Sequence, residues 1–313
     1  MGTMGNMAVR PADEQSRRTG KPVRRSVLRF RQRRTPPVAE GKVVFVLSGG
    51  GNRGVAQVGM LRALLEAGIQ PDVVVGTSVG SLNGAAIANE PTLEGVDRLQ
   101  EVWRSMTREQ IFADSRLARA WRLASRANHL WCNLGLVALI ESFGVQEFSQ
   151  LRLPLRVIAC DLNSGEEVLF SSGPLAPALL ASCALPGVFP PVEYGGRLLV
   201  DGGVLNNVPV SHALAGPTEH VYVCDTSADL ETRPPQSAIE VILRSFTISR
   251  LARSHLDREL HAVSPKVTYL PRVADERGPF DFSRCDKLAE AGYRAAREFL
   301  AERSELPQAG ALP

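Results

Sequence analysis

Between Lys42 and Leu300 short apolar runs alternate with stretches whose apolar residues recur every three or four positions. "KVVFVL" (Lys42–Leu47) is apolar throughout after its lysine, as a strand covered on both faces requires. Val58, Leu61, Leu64 and Leu65 then fall on one face of a helix, with Gln57, Arg62 and Glu66 assigned to the opposite, polar face. Gly68 stops that helix, and "DVVVG" (Asp72–Gly76) is a second apolar strand. The three elements form a β-α-β unit, which predicts a parallel strand pair with a right-handed crossover. Further strands are expected at 155–161, 167–170, 197–200, 220–225 and 266–270, and a last helix near 286–300. This alternation predicts a three-layer α/β domain, with no internal repeat.

Residues 98–150 break the pattern. "RLARAWRLASRANHLWCNLGLVALIESF" is helical in spacing, basic, and carries Trp121 and Trp131. Two expectations follow: a helical insertion packed on the sheet, or a lid with a lipid-facing surface, since basic amphipathic helices bearing Trp suit interfaces. The longest apolar run, Leu134–Ile140, falls far short of the ~18–20 residues that span a bilayer.

Charge is unevenly placed. Residues 1–40 hold ten Lys/Arg against three Asp/Glu, leaving 26 against 30 in 41–313. The first forty residues are therefore expected to be a disordered basic arm, followed by one folded domain over 41–313. Arg24-Arg25 is not an export signal, because Arg29, Arg31, Arg33 and Arg34 occupy the place of the apolar region such a signal needs. The arm is expected to be solvated or to touch anionic lipid; no nucleic-acid partner is expected. Five scattered cysteines match neither a disulfide framework nor a zinc site, so a reducing, cytoplasmic setting is expected, peripheral to membranes at most.

The candidate chemistry sits in the turns. Ser48–Gly54, "SGGGNRG", follows the first strand and opens a helix, where clustered amides and the helix dipole favour negative charge. Either a phosphate or a reacting oxyanion would suit it. A dinucleotide site needs an acid at the far end of the second strand, and a Walker loop needs Gly-Lys-Ser/Thr; neither is present. Instead the second strand ends in Gly76-Thr77-Ser78-Val79-Gly80, a G-x-S-x-G elbow of the kind that exposes a nucleophilic hydroxyl between strand and helix. Both turns lie at the carboxyl ends of neighbouring strands. Ser78 and the amides of Gly50 and Gly51 then converge on one carbonyl, with Arg53 beside the developing charge and Gly49 and Gly54 shaping the loop. The glycines are expected because side chains would block the substrate's approach to the backbone. Asp201, on the glycine-rich turn Asp201-Gly202-Gly203, is the candidate base.

These motifs together resemble those of the bacterial patatin-like phospholipases: "SGGGNRG", "GTSVG" and "DGG", with the lesser stretches "ACDLNSGEEVLF", "ASCALPGVFPPV", "DGGVLNNVPV" and "LAEAGYRAA". The resemblance spans roughly Lys42–Leu300. It departs at Ser48, where Asp is common, and at Asn52, a variable slot. It implies a three-layer α/β/α patatin-like fold with a mostly parallel sheet. It also implies a Ser78–Asp201 dyad that cleaves phospholipids or other acyl esters through an acyl-enzyme, with no metal or cofactor. Two rivals remain. One is a Ser-His-Asp esterase using His212, His220, His255 or His261; the other is a lipid-binding protein without turnover.

Overall fold

In the computed structural model the described residues are 41–112, 115, 117, 121–122, 124–125, 127–227, 234–262, 264–274 and 281–305. The expected basic arm, 1–40, lies outside them.

The centre is an eight-stranded sheet. Strands β1 (Lys42–Leu47), β2 (Val73–Thr77), β3 (Leu155–Asp161), β7 (Thr218–Cys224) and β8 (Val267–Tyr269) form a parallel block in the order β3-β2-β1-β7-β8. Strands β4 (Glu167–Phe170) and β6 (Arg197–Asp201) pair with β3 antiparallel, and β5 (Val192–Tyr194) pairs with β6. β5 escaped the sequence reading because three residues show no periodicity. Its hairpin is marked by Gly195-Gly196, both at positive φ (58° and 75°), as a two-residue β turn prefers.

Alternation along β1 builds both cores. Phe45 and Leu47 enter the larger one with helices α1 (Val55–Glu66), α2 (Val79–Asn89), α3 (Leu93–Ser105) and α9 (Cys285–Glu305). Val44 and Val46 point the other way, to a smaller core closed by α7 (Val210–Leu214). Helices therefore cover both faces, giving the three layers expected.

One expectation about α1 fails. Gln57 does not face solvent; it is fully buried. Gln57 stands one turn before Leu61 and two before Leu64, so it shares their inward side, while α9 covers another side of α1 at backbone contact. A Cβ on Gly59 would stand 1.9 Å from the Ala289 carbonyl oxygen, and one on Gly292 2.2 Å from that of Ala56. Gln57 is tolerated inside because its Nε2 donates to the carbonyls of Ser48 (2.8 Å) and Cys224 (3.1 Å). Asn83 Nδ2 donates in turn to Gln57 Oε1.

The 98–150 segment supplies the end of α3, α4 (Arg108–Ile111) and α5 (Leu134–Ser142). Leu99, Trp103, Ile111, Leu136 and Ile140 bury themselves in the larger core, while Leu117, Trp121 and Leu134 stand exposed. Among the described residues no helix is long and apolar enough to cross a membrane. Helix α6 spans Leu175–Ser182 and helix α8 Ala238–Ala262.

Candidate active site

Strand register brings the two candidate residues together. β4 occupies Val157–Cys160 of β3, while β2 reaches Ile158 and β6 begins its pairing at Ala159. A strand has two edges, so β2 and β6 share the edge that β4 leaves free. They run toward each other along it, Thr77 opposite Ile158 and Asp201 opposite Ala159. Their carboxyl ends meet, and Ser78 and Asp201 are the residues at the junction.

Ser78 takes φ 54° and ψ −129°, and is the only non-glycine residue at positive φ among the described residues. A conformation of this type costs roughly 1–3 kcal/mol and persists only where the surroundings impose it. Here Ser182 imposes it: the Ser78 N–H donates to Ser182 Oγ (2.9 Å), whose hydroxyl donates to the Ile158 carbonyl (2.7 Å). Gly80 lets α2 start directly against β1, since a Cβ there would lie 2.2 Å from the Leu47 carbonyl oxygen. The elbow is held from both sides, with its hydroxyl turned to the carboxylate.

Ser78 stands close enough to the Asp201 carboxylate for its hydroxyl to favour the ionised form. Asp201 is 1% exposed and accepts the Gly203 N–H at 2.7 Å. Burial raises its pKa above the ordinary carboxylate value; the Ser78 hydroxyl, the Gly203 hydrogen bond and the charge of Arg250 oppose that rise. A buried carboxylate with a raised pKa, next to a strained serine, has the form of a base beside a nucleophile.

The glycine-rich turn lies alongside. The Gly49 N–H is taken by the Asn207 carbonyl (3.0 Å), and Asn207 Nδ2 returns a bond to the Gly49 carbonyl (3.1 Å). Gly50, Gly51 and Arg53 line the same cavity as Ser78 and Asp201. Gly51 needs its lack of a side chain for a φ of 62°. The expected reason for the other glycines needs correction, because their missing side chains make room for protein and not for substrate. A Cβ on Gly50 would meet the Thr226 carbonyl oxygen at 2.7 Å, one on Gly49 Asn207 Oδ1 at 2.5 Å, and one on Gly54 the Val79 side chain at 2.5 Å. Gly76 and Gly202 approach the carbonyls of Gly80 and Ile158 in the same way.

The cavity has a volume of about 420 Å³. Apolar side chains dominate its walls, among them Leu82, Leu99, Trp103, Phe112, Leu139 and Phe189. Phe112 anchors the wall, stacked on Phe189 and set edge-on to Trp131, each at 5.4 Å. None of the five histidines lines it. No group of three or more His, Cys, Asp or Glu among the described residues is placed to hold a metal ion.

A family model described as "Patatin-like phospholipase" matches residues 45–214, more than half of the chain. The chain belongs to the patatin-like phospholipase family. The matched stretch carries all three glycine-rich motifs and ends at α7.

Similar proteins come from fungi and animals. "Lysophospholipase NTE1" of Pyricularia oryzae is 27% identical over 301 residues, covering 87% of this chain and 19% of that protein. "Patatin-like phospholipase domain-containing protein 7" of Rattus norvegicus is 29% identical over 277 residues, covering 80% and 20%. The Caenorhabditis elegans protein "Patatin-like phospholipase domain-containing protein ZK370.4" is 31% identical over 299 residues, covering 85% and 21%. The chain thus spans about a fifth of the length of these relatives. Among solved structures, human GIVD cytosolic phospholipase A2 matches with a TM-score of 0.49 at 14% identity, covering 84% of this chain and 59% of that one.

Three residues around Ser78 and the glycine-rich turn carry no sequence signal of their own. Ser182 and Asn207 lie inside stretches that the resemblance covers, but only the fold gives them their roles as braces of Ser78 and of the Gly49 turn. Arg250, on α8, has no motif at all and lies outside the matched residues.

Proposed function

We propose that this protein is a serine acyl hydrolase acting on phospholipids or related acyl lipids, with Ser78 as nucleophile and Asp201 as base. The observation that carries the reading is the meeting of a strained Ser78 with the buried Asp201 carboxylate, both on the wall of an apolar, histidine-free cavity. Ser78 Oγ attacks the ester carbonyl while Asp201 takes its proton. The amides of Gly50 and Gly51, with Arg53 nearby, stabilise the tetrahedral oxyanion. Asp201 then protonates the departing alcohol, leaving an acyl-Ser78 ester. Water, deprotonated by Asp201, releases the acid and restores the serine. No metal or cofactor enters these steps.

The apolar walls supplied by 98–150 and α8 suit an acyl chain. The same segment, with exposed Leu117 and Trp121, is the proposed lid or point of membrane contact; the basic arm of 1–40 is a second candidate for membrane contact. All five cysteines are free, which supports a reducing, cytoplasmic setting. Assignment to the bacterial members in particular rests on the motif stretches alone, since the relatives described above are fungal and animal.

A long-chain alkyl fluorophosphonate should label the wild-type protein at Ser78 and fail to label Ser78→Ala, which should also lose phospholipid hydrolysis. Labelling that persists on Ser78→Ala would move the nucleophile elsewhere.

A further inference from the structure

The cavity is apolar along its walls but carries a surplus of positive charge. Among the described residues four guanidiniums line it (Arg53, Arg108, Arg244 and Arg250) against two carboxylates, Asp201 and Glu240. A neutral fatty ester calls for no such surplus. An ester that brings an anion of its own does.

Arg250 is the member with an unmet hydrogen bond. Its Nε is cut off from water and has no partner. An atom closed to water is closed to a ligand oxygen as well, but Arg250 lines the cavity, so the donors a ligand there would meet are its terminal Nη groups. The guanidinium is fixed in direction: its Cζ lies 5.0 Å from the centre of the Phe246 ring, one turn earlier on α8. Its aliphatic stem passes the Asp201-Gly202-Gly203 turn, 3.3 Å from where a Cβ on Gly203 would be. Arg250 therefore stands next to the proposed base, on a wall formed by a helix outside the family-matched residues.

We infer that Arg250 binds the phosphate oxygen of a phospholipid whose acyl ester is presented to Ser78, making it a specificity-determining residue for phosphate-bearing lipids. The inference rests on the proposed reading of Ser78 and Asp201 only for the position of the ester. A planar guanidinium suits phosphate better than an ammonium does, because two of its N–H groups can face two oxygens at once. Arg53, contributed by the glycine-rich turn, adds charge on the oxyanion side, so Arg250 is left to meet the headgroup. The same oxyanion chemistry would also suit the carboxylate of a released fatty acid, and the test separates the two.

The test measures binding, so it does not depend on turnover. Affinities of dodecylphosphocholine, dodecyl maltoside and dodecanoate are compared by calorimetry below their micelle concentrations. Wild type should prefer the phosphocholine to the maltoside. Arg250→Gln should lower that preference by about 10- to 100-fold, the usual range for a charge-assisted hydrogen bond. Arg250→Lys, which keeps the charge without the fork, should retain part of it. No preference in wild type, an equal loss for both detergents, or a loss confined to dodecanoate would each overturn the inference. Fluorophosphonate labelling of the same proteins separates the two claims. Labelling without a phosphocholine preference sinks Arg250 and leaves Ser78 standing; preference without labelling does the reverse.

Discussion

His212 Nε2 lies 2.8 Å from Glu167 Oε2, and Asn206 Nδ2 approaches the same oxygen at 3.2 Å. This histidine follows Asp201 in the chain, as the third member of a Ser-acid-His order would, yet it is held by a carboxylate away from the cavity. His220 is similarly engaged with Thr268 at 2.8 Å. Replacing His212 by Gln should therefore leave most of kcat on a chromogenic ester. In a triad the loss would approach that of removing the serine, about 10⁴-fold or more. Steady-state rates of the His212→Gln, His220→Gln, His255→Gln and His261→Gln proteins decide between the two.

Asp201→Asn separates function from stability. The amide cannot take the Ser78 proton, so activity should fall by about 10²–10⁴, the range of general-base effects. Stability should move the other way. Burial raises the Asp201 pKa above its ordinary value, so the stability this group contributes is present below that value and is lost as pH rises through the folded pKa. At pH 7–8 the ionised carboxylate weakens the fold. Asn keeps an acceptor for the Gly203 N–H and brings no charge inside. The variant should melt higher than wild type at pH 8, and the gap should shrink as pH falls toward 4. A variant that melts lower at pH 8 would mean the charge is better compensated by Arg250 and Ser78 than burial alone implies.

What the sequence could reveal depended on how local the physics was. Ser78, Gly51 and Asp201 were legible because their turns bracket apolar strands and carry glycine where a tight bend needs it. Strand β1 was legible because burial on both faces leaves an unbroken apolar run. Gln57 is polar yet internal because its partners, Ser48, Asn83 and Cys224, come from separate parts of the chain, which the pattern on α1 cannot report. The head-on meeting of β2 and β6 is equally non-local, since it depends on how both pair with β3. Arg250 left no trace in the pattern, because one arginine among several on a long helix reads as solvated until the fold turns it inward.

The contact between α1 and α9 predicts an inverted propensity effect. Alanine is ordinarily better than glycine inside a helix by about 1 kcal/mol. At Gly59 the added methyl would meet the Ala289 carbonyl oxygen at 1.9 Å, backbone that cannot swing aside as a side chain does. Gly59→Ala should destabilise the protein by about 1–3 kcal/mol through overpacking, read from urea unfolding. Gly292→Ala, which meets the Ala56 carbonyl oxygen at 2.2 Å from the other helix, should do likewise. Because both substitutions push the same two helices apart, the double variant should lose less than the two single losses combined.

Gly51 joins backbone strain to the proposed oxyanion hole, and one control separates them. Its φ of 62° is left-handed, so Gly51→Ala carries a conformational cost of about 1–2 kcal/mol. Gly68 ends α1 at a φ of 75°, has no atom within 4 Å of an added Cβ, and is not among the residues lining the cavity. Gly68→Ala therefore carries a comparable backbone cost with no reason to touch catalysis. Gly51→Ala should melt lower by a similar amount and also lose kcat by about 10²–10³, the usual effect of losing one oxyanion donor. The loss should appear in kcat more than in KM, because the donor meets charge that develops only in the transition state. If Gly51→Ala and Gly68→Ala melt alike and turn over alike, the Gly51 amide is not the donor, and the oxyanion must be met by Gly50 and Arg53 alone.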